Sequence, residues 1–342
     1  METIGPFNIK YDADTIDQQL LCKGLCGIEN LDQTCYLNSI VQCLSNTKWL
    51  RNYILTDIFR DHIDMNKHHF IMVNELSKVF RGLWWNNALI RPEQFVYWTR
   101  RLNDKLGDGQ FATGGQKDSG EFLIYLLDMV HESLSKPLED MCSIDKTIYD
   151  FYKNGYSEIV HKFGIHLNNS ITCTNCGHVS TKYDPANVLT LEIPNCDGTT
   201  TLHDCLGNFM KVEHLDDDNK YKCEKCNVMT NAEKKLNIVD TSEYLIINLK
   251  RFEYVDSDRI IKKNVLVDFP IDNLDMSKYI KNGKRYRLYS TSNHIGSRNA
   301  GHYYSCCLNN EKWYKYDDAI VTTLNITDIV NPTAYVLFYE QI

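Results

Sequence analysis

Two Cys-x2-Cys pairs, Cys173-Thr174-Asn175-Cys176 and Cys223-Glu224-Lys225-Cys226, stand 46 residues apart in the second half of this chain. They constrain the fold more than any other feature. Each pair can wrap one edge of a tetrahedral ion from a tight turn, and four thiolates complete the site only if the two turns meet. The spacing points to one structural Zn2+ held by Cys173, Cys176, Cys223 and Cys226, with no coordination position left open for chemistry. In a strand-rich projection with little core of its own, such an ion would supply much of the folding free energy. Four unmetallated thiols are the alternative, and the paired spacing favours the ion. His178 lies near the first pair and reads as a bystander.

A disulfide framework explains the thirteen cysteines poorly. The count is odd, and residues 1–10 lack the basic start and apolar run of a secretory leader. No window approaches the roughly eighteen uninterrupted apolar residues of a membrane span, so the expectation is a protein of the cytoplasm or nucleus without a membrane partner. A net charge of −8 argues against nucleic acid and is compatible with a basic protein or peptide ligand.

Hydrophobic residues make up 43% of the chain, enough for a real core, and their period changes along it. Residues 1–20 are polar and irregular and read as an extension on a domain surface. Helical spacing follows at Leu37, Ile40, Val41 and Leu44, at Ile71, Leu76, Val79 and Phe80, and at Phe95, Val96, Trp98 and Leu102 after Pro92. A glycine-dense loop at 107–115 precedes a further helix carrying Phe122, Leu123, Leu126, Leu127 and Val130. Asp118 and Glu121 sit at its start, where carboxylates cap. From about residue 160, Thr, Val, Ile and Tyr alternate among turn residues, which predicts mainly strands. The apolar run Tyr244-Leu245-Ile246-Ile247-Asn248-Leu249 predicts a buried strand central to a sheet. A polar loop at Asp256-Ser257-Asp258-Arg259 and a strand stopped by Pro270 come after it. The fold class is α+β.

One cysteine stands apart from the knuckles. Cys35 falls at the mouth of the first strongly periodic helix, where the dipole favours an anion and hence a thiolate. Asn30, five residues upstream, is placed to donate its amide, with the Cys35 N–H, to the oxyanion of an acyl-transfer intermediate. A buried, inert thiol is the plainer alternative. Late in the chain a loop ends in Gly301-His302-Tyr303, and Trp313-Tyr314-Lys315-Tyr316 runs into Asp317-Asp318. Antiparallel pairing of 303–308 with 312–316 across an Asn309-Asn310 turn would bring Asp317 alongside His302. Gly301 would allow close backbone approach by a ligand.

Together these residues resemble the catalytic domain of the ubiquitin-specific proteases, papain-like cysteine deubiquitinases, from about Gly24 to the C-terminus. The cysteine box is similar to Gly27-Ile28-Glu29-Asn30 with Thr34-Cys35-Tyr36-Leu37-Asn38-Ser39, and the histidine box to Gly301-His302-Tyr303 with Trp313-Tyr314 and Asp317-Asp318. Between them, Gln116-Lys117-Asp118-Ser119-Gly120-Glu121-Phe122-Leu123 and Leu249-Lys250-Arg251-Phe252 fall in the family's order. The resemblance implies a papain-like hand: an extension at 1–20, a thumb at about 21–145, zinc-bearing fingers at about 165–243 and a palm from the remainder. It implies a monomer acting on ubiquitin and ubiquitinated proteins, with Cys35 as nucleophile, His302 as base and acid, Asp317 orienting the imidazole, Asn30 in the oxyanion hole and Asp318 in support. Asp118 and Glu121 match positions that meet the arginines of the ubiquitin tail, and Gly301 and Tyr303 would also bind substrate. The sequence departs from the family at Asp32, where glycine is usual. A ubiquitin-binding scaffold without turnover, or a deconjugase of another ubiquitin-like modifier, are the competing readings.

Overall fold

The computed structural model describes residues 13–138, 146–196, 198–254, 260–298 and 300–342. The polar loop expected at 256–259 lies outside the described residues, as do residues 1–12 of the expected extension. The rest of that extension is not irregular: Ala13–Gln19 is a helix, tied down by Asp17, whose carboxylate meets Lys48, Arg51 and Asn52.

Four longer helices follow where the apolar spacing placed them, at Cys35–Ser45, Phe70–Trp84, Glu93–Leu106 and Ser119–Leu134, with a shorter one at Lys48–Leu55. Pro92 is the cap of its helix and not its first turn, which costs nothing because that position needs no donor. Shorter helices at Lys146–Tyr152, Glu158–Phe163 and Leu202–Phe209 were not visible as periodic stretches. The last begins with a capping box of Thr201 and Asp204 inside an otherwise strand-rich region.

The main sheet runs in the order Ile320–Leu324, Lys312–Asp317, Gly301–Asn309, Arg285–Gly296, Ala334–Gln341, Tyr244–Lys250, Leu189–Glu192. All neighbours are antiparallel except the last pair. Tyr244–Lys250 is therefore next to an edge, not central. Its unbroken apolar run has a different reason, since alternate residues enter two cores. Tyr244 and Ile246 join the helical layer, while Leu245, Ile247 and Leu249 pack on the opposite face with Leu202, Cys205 and Leu206 of the short helix.

A second sheet of Val179–Tyr183, Ile165–Cys173, Ala232–Thr241 and Glu213–Leu215 projects from this body and carries mostly half-buried or exposed side chains. It ends in the two cysteine knuckles. Among the described residues, no helix is long and apolar enough to cross a membrane.

Candidate active site

Cys35 is the first residue of helix Cys35–Ser45, so its own N–H has no acceptor within the helix. The turn before it is unusual: Asp32 and Gln33 both have left-handed backbone, with φ of 58° and 64°. Asp tolerates that conformation better than most residues. The Asp32 carboxylate is exposed and lies 3.9 Å from Arg100, a cation that offsets its charge. Asn30 closes the turn, its Oδ1 accepting from the Thr34 N–H at 2.8 Å while its Nδ2 donates to Asp318 Oδ2 at 2.8 Å.

The strand hairpin supplies the partner groups. His302 Nε2 lies 2.6 Å from Asp317 Oδ1, and hydrogen bonding to the Cys35 thiol is the largest influence on the imidazole. That bond, with support from Asp317, outweighs burial and pushes the imidazole up to about 9. Burial raises Asp317, but Lys315 and His302 more than offset it and hold the carboxyl below the usual range. The hairpin differs by one residue from expectation. Asn309 pairs with Lys312, so the turn is Asn310-Glu311, both at positive φ, and Tyr316 faces Ser305. Asp317 thus reaches His302 diagonally across the strands, within side-chain range.

A strap from Gly24 to Thr34 locks these parts together. Its Gly27 passes so close to Ala319 that an added Cβ would sit 2.4 Å from backbone atoms, and the Ile28 N–H donates to the Asp318 carbonyl at 2.9 Å. The Asp318 carboxylate accepts from Asn30 on one oxygen and Asn38 on the other, each at 2.8 Å, and lies 4.0 Å from His302.

A cleft of about 540 Å³ runs beside His302 between the Ser119–Leu134 helix and the main sheet, lined among others by Gln116, Asp118, Glu121, Arg298, Tyr303 and Tyr335. Asp118 is the helix cap: its Oδ1 accepts from the Gly120 and Glu121 N–H groups at 2.7 and 3.1 Å, and its other oxygen accepts from the Tyr335 hydroxyl. Burial pushes its carboxyl up, against the pull of those donors and of Arg298. Burial likewise raises Glu121, with Asp118 and Asp108 adding to the shift. Tyr303 is only 4% exposed and packs against His294 and Tyr335.

At the far end of the projecting sheet, the four knuckle sulfurs lie within 4.8 Å of one another, with Cys173 to Cys226 at 4.0 Å and Cys176 to Cys223 at 3.8 Å. A tetrahedral zinc with sulfurs at its usual bond length needs about 3.8 Å between them, so the four thiols fit a metal ion. Each knuckle closes alike. The residue after its second cysteine, Gly177 or Asn227, has positive φ and donates its N–H to the carbonyl of the first. His178 contributes only its carbonyl, to the Cys173 N–H.

A family model described as ubiquitin carboxyl-terminal hydrolase matches residues 26–339. The chain belongs to that family. Relatives include ubiquitin carboxyl-terminal hydrolase 2 of Homo sapiens, 32% identical over 93% of this chain and 55% of the relative. The protein of the same name from Gallus gallus is 33% identical over 96% of both. The chain thus spans about half the length of the mammalian relatives it matches. Among solved structures it resembles a chain of the SAGA DUB module Ubp8/Sgf11/Sus1/Sgf73 bound to monoubiquitin, with a TM-score of 0.74 and 25% identity over 94% of this chain and 70% of that one. The module bound to ubiquitin aldehyde gives a TM-score of 0.74 at 26% identity, with the same coverage. The chain has the α+β, papain-like fold expected of this family.

Within this hydrolase fold the structure brings Cys35, His302, Asp317, Asp318 and Asn30 together, and Asp118, Glu121 and Tyr303 into the neighbouring cleft. Gly301 is also crowded by the chain itself. What approaches it is His294, whose Nε2 would be 2.1 Å from an added Cβ, with the Ser297 carbonyl oxygen at 2.6 Å. Three supporting residues carried no role in the sequence reading. Gln116 clasps the Gly301 backbone, donating to its carbonyl at 2.8 Å and accepting from its N–H at 3.0 Å. Tyr335 holds Asp118, and Asn38 holds Asp318. Asn38 alone had a signal, an amide inside an apolar helical run, where a buried polar group needs a partner.

Proposed function

We propose that this chain is a thiol-dependent deubiquitinase that hydrolyses the isopeptide or peptide bond at the C-terminal glycine of ubiquitin. The observation that carries this reading is His302, with Nε2 2.6 Å from Asp317 Oδ1 and its imidazole raised chiefly by hydrogen bonding to Cys35, the first residue of a helix, in a family of ubiquitin hydrolases.

In the proposed reaction the Cys35 sulfur attacks the glycine carbonyl as a thiolate beside the His302 imidazolium. The Cys35 N–H and one N–H of the Asn30 amide meet the oxyanion, the second Asn30 N–H staying on Asp318. When the C–N bond breaks, His302 gives its proton to the departing lysine amine. Water then adds to the thioester, giving its proton back to His302, and the thiolate leaves. Asp317 keeps the ring oriented and its charged form stable, while Asp318 holds Asn30.

The cleft between helix Ser119–Leu134 and the main sheet suits an extended tail, and Asp118 and Glu121 offer carboxylates to arginines within it. Tyr303 forms part of its wall, and Gly301 is joined to it through the backbone bonds it makes with Gln116. Residues 21–145 are the proposed thumb, 165–243 the fingers and the remainder the palm. Cys173, Cys176, Cys223 and Cys226 would hold one Zn2+, whose chemistry is to cross-link two hairpins that have little core to join them.

The test is covalent capture by ubiquitin bearing a C-terminal electrophile, read by intact mass. One adduct on the wild type and none on Cys35→Ala is the expected result. No adduct with the wild type, or an adduct that survives Cys35→Ala, would overturn the assignment, and preferential capture of another ubiquitin-like modifier would reassign the substrate.

A further inference from the structure

One charged side chain beside the triad has no part in the reaction described above. Lys315 stands two residues before Asp317 on strand Lys312–Asp317, so both side chains project from the same face. Its Nζ lies 2.7 Å from Asp317 Oδ2, while Oδ1 of that carboxylate takes His302 at 2.6 Å. Each oxygen therefore has one partner, and the carboxylate cannot turn without losing one of them. The ammonium is itself held, resting over the Tyr304 ring 4.4 Å from its centroid. The Tyr304 hydroxyl is bonded to Thr333 Oγ1 at 2.9 Å, and Thr333 donates to Asn331. An ordinary surface ion pair is worth little, but this one shares its acid with a hydrogen-bonded imidazole and is two-thirds buried on both sides.

We propose that Lys315 is a positioning residue: it fixes the rotation of the Asp317 carboxylate and sets how much negative charge His302 meets. The inference rests on the deubiquitinase reading for its substrate assay, though not for its thiol assay. The groups facing Asp317 are His302 and Lys315. His302 meets Cys35 from the helix, Asp317 and Asp318 from the adjoining strand and turn, and His294 from the strand on its other side. Lys315 meets Tyr304 and Cys306 besides Asp317. The paired edge strand, Ile320–Leu324, brings no titratable side chain.

Removing the ammonium has two consequences with one direction. Asp317, losing a cation in contact, takes up its proton at higher pH, so the acid limb of reactivity moves up. His302 meets the undivided carboxylate charge without a nearby like charge and keeps its proton to higher pH, so the basic limb also moves up. A role limited to packing would lower the plateau and leave the limbs in place.

The experiment compares wild type with Lys315→Met, with the neutral Lys315→Gln as second variant and Lys315→Arg as rescue. Two pH profiles are recorded: kcat/KM for ubiquitin carrying a fluorogenic C-terminal amide, and alkylation of Cys35 by iodoacetamide, read from the mass of its peptide. In both neutral variants the acid limb is expected to rise by on the order of one pH unit. kcat/KM should fall on the order of tenfold, well short of the ~10⁴ lost when a triad carboxylate is removed. Arg is expected to restore both. Unmoved limbs in the neutral variants, or an Arg variant no better than Met, would overturn the proposal. So would loss of folding in both neutral variants with Arg still folded, which would make Lys315 structural. A wild type that alkylates normally but leaves the ubiquitin amide uncut would refute the deubiquitinase reading, and the alkylation profiles would then decide Lys315 alone.

Discussion

Asp118 is asked to do two things, and substitution separates them. As the cap of helix Ser119–Leu134 it accepts two backbone N–H groups, and its second oxygen takes the Tyr335 hydroxyl in a site where Tyr335 is 3% exposed. Asp118→Ala removes the cap, at about 1 kcal/mol. It also strands a buried hydroxyl, at about 1–3 kcal/mol. The sum is a loss of about 2–4 kcal/mol of stability. Asp118→Asn keeps an oxygen for Gly120 and Glu121, and its amide donates to the Tyr335 oxygen, which can accept as readily as donate. Asn caps about as well as Asp, so the fold should change by less than about 0.5 kcal/mol. If arginines of a bound tail meet Asp118, however, the Asn variant loses a charge-assisted bond of about 1.5–3 kcal/mol, or roughly ten- to a hundredfold in kcat/KM. Urea denaturation of both variants beside steady-state kinetics on a ubiquitin substrate reads the two effects separately. Asn at wild-type kcat/KM would reduce Asp118 to a cap. Asn as unstable as Ala would refute the capping geometry.

Three further outcomes follow from the site. Asn30→Ala should lower kcat on the order of a hundredfold, about 3 kcal/mol, with KM little changed; an unaltered turnover number would remove Asn30 from the oxyanion hole. The purified protein should carry one zinc per chain by elemental analysis, and chelation or Cys226→Ser should expose residues 213–241 to proteolysis before the main sheet. Metal-free protein with an equally resistant projecting sheet would contradict the site. His302 is raised in the folded state, so its contribution to stability is complete below its unfolded value near 6.5 and is lost as pH rises through about 9. Wild type minus His302→Ala stability, measured across that window, should shrink with rising pH; a difference that grows would reverse the sign of the linkage.

Several features were legible because they are local. Helical spacing after Cys35 fixes a helix start, and with it the thiol's place at a positive dipole end, whatever the helix later packs against. Two cysteines three apart specify a knuckle, and a strand, a two-residue turn and a strand place Asp317 within reach of His302 even with the turn misplaced by one residue. Elsewhere local patterning misled. An all-apolar run shows that both faces of strand Tyr244–Lys250 are buried but is silent on sheet order, since an edge-proximal strand covered on two sides looks the same as a central one.

The sequence by itself thus determined the α+β class, the helix that starts at Cys35, the two cysteine knuckles and the His302–Asp317 hairpin, because backbone geometry converts short spacings into shared faces and turns. Only the tertiary structure decided what holds those groups in place. Asn30 meets Asp318 across 288 residues, Gln116 clasps Gly301 across 185, and Tyr335 completes the Asp118 cap across 217. His294 fills the space that keeps Gly301 a glycine. No periodicity encodes such pairs, since each is set by which packed surfaces meet, and that is fixed only when the helical layer closes on the sheet.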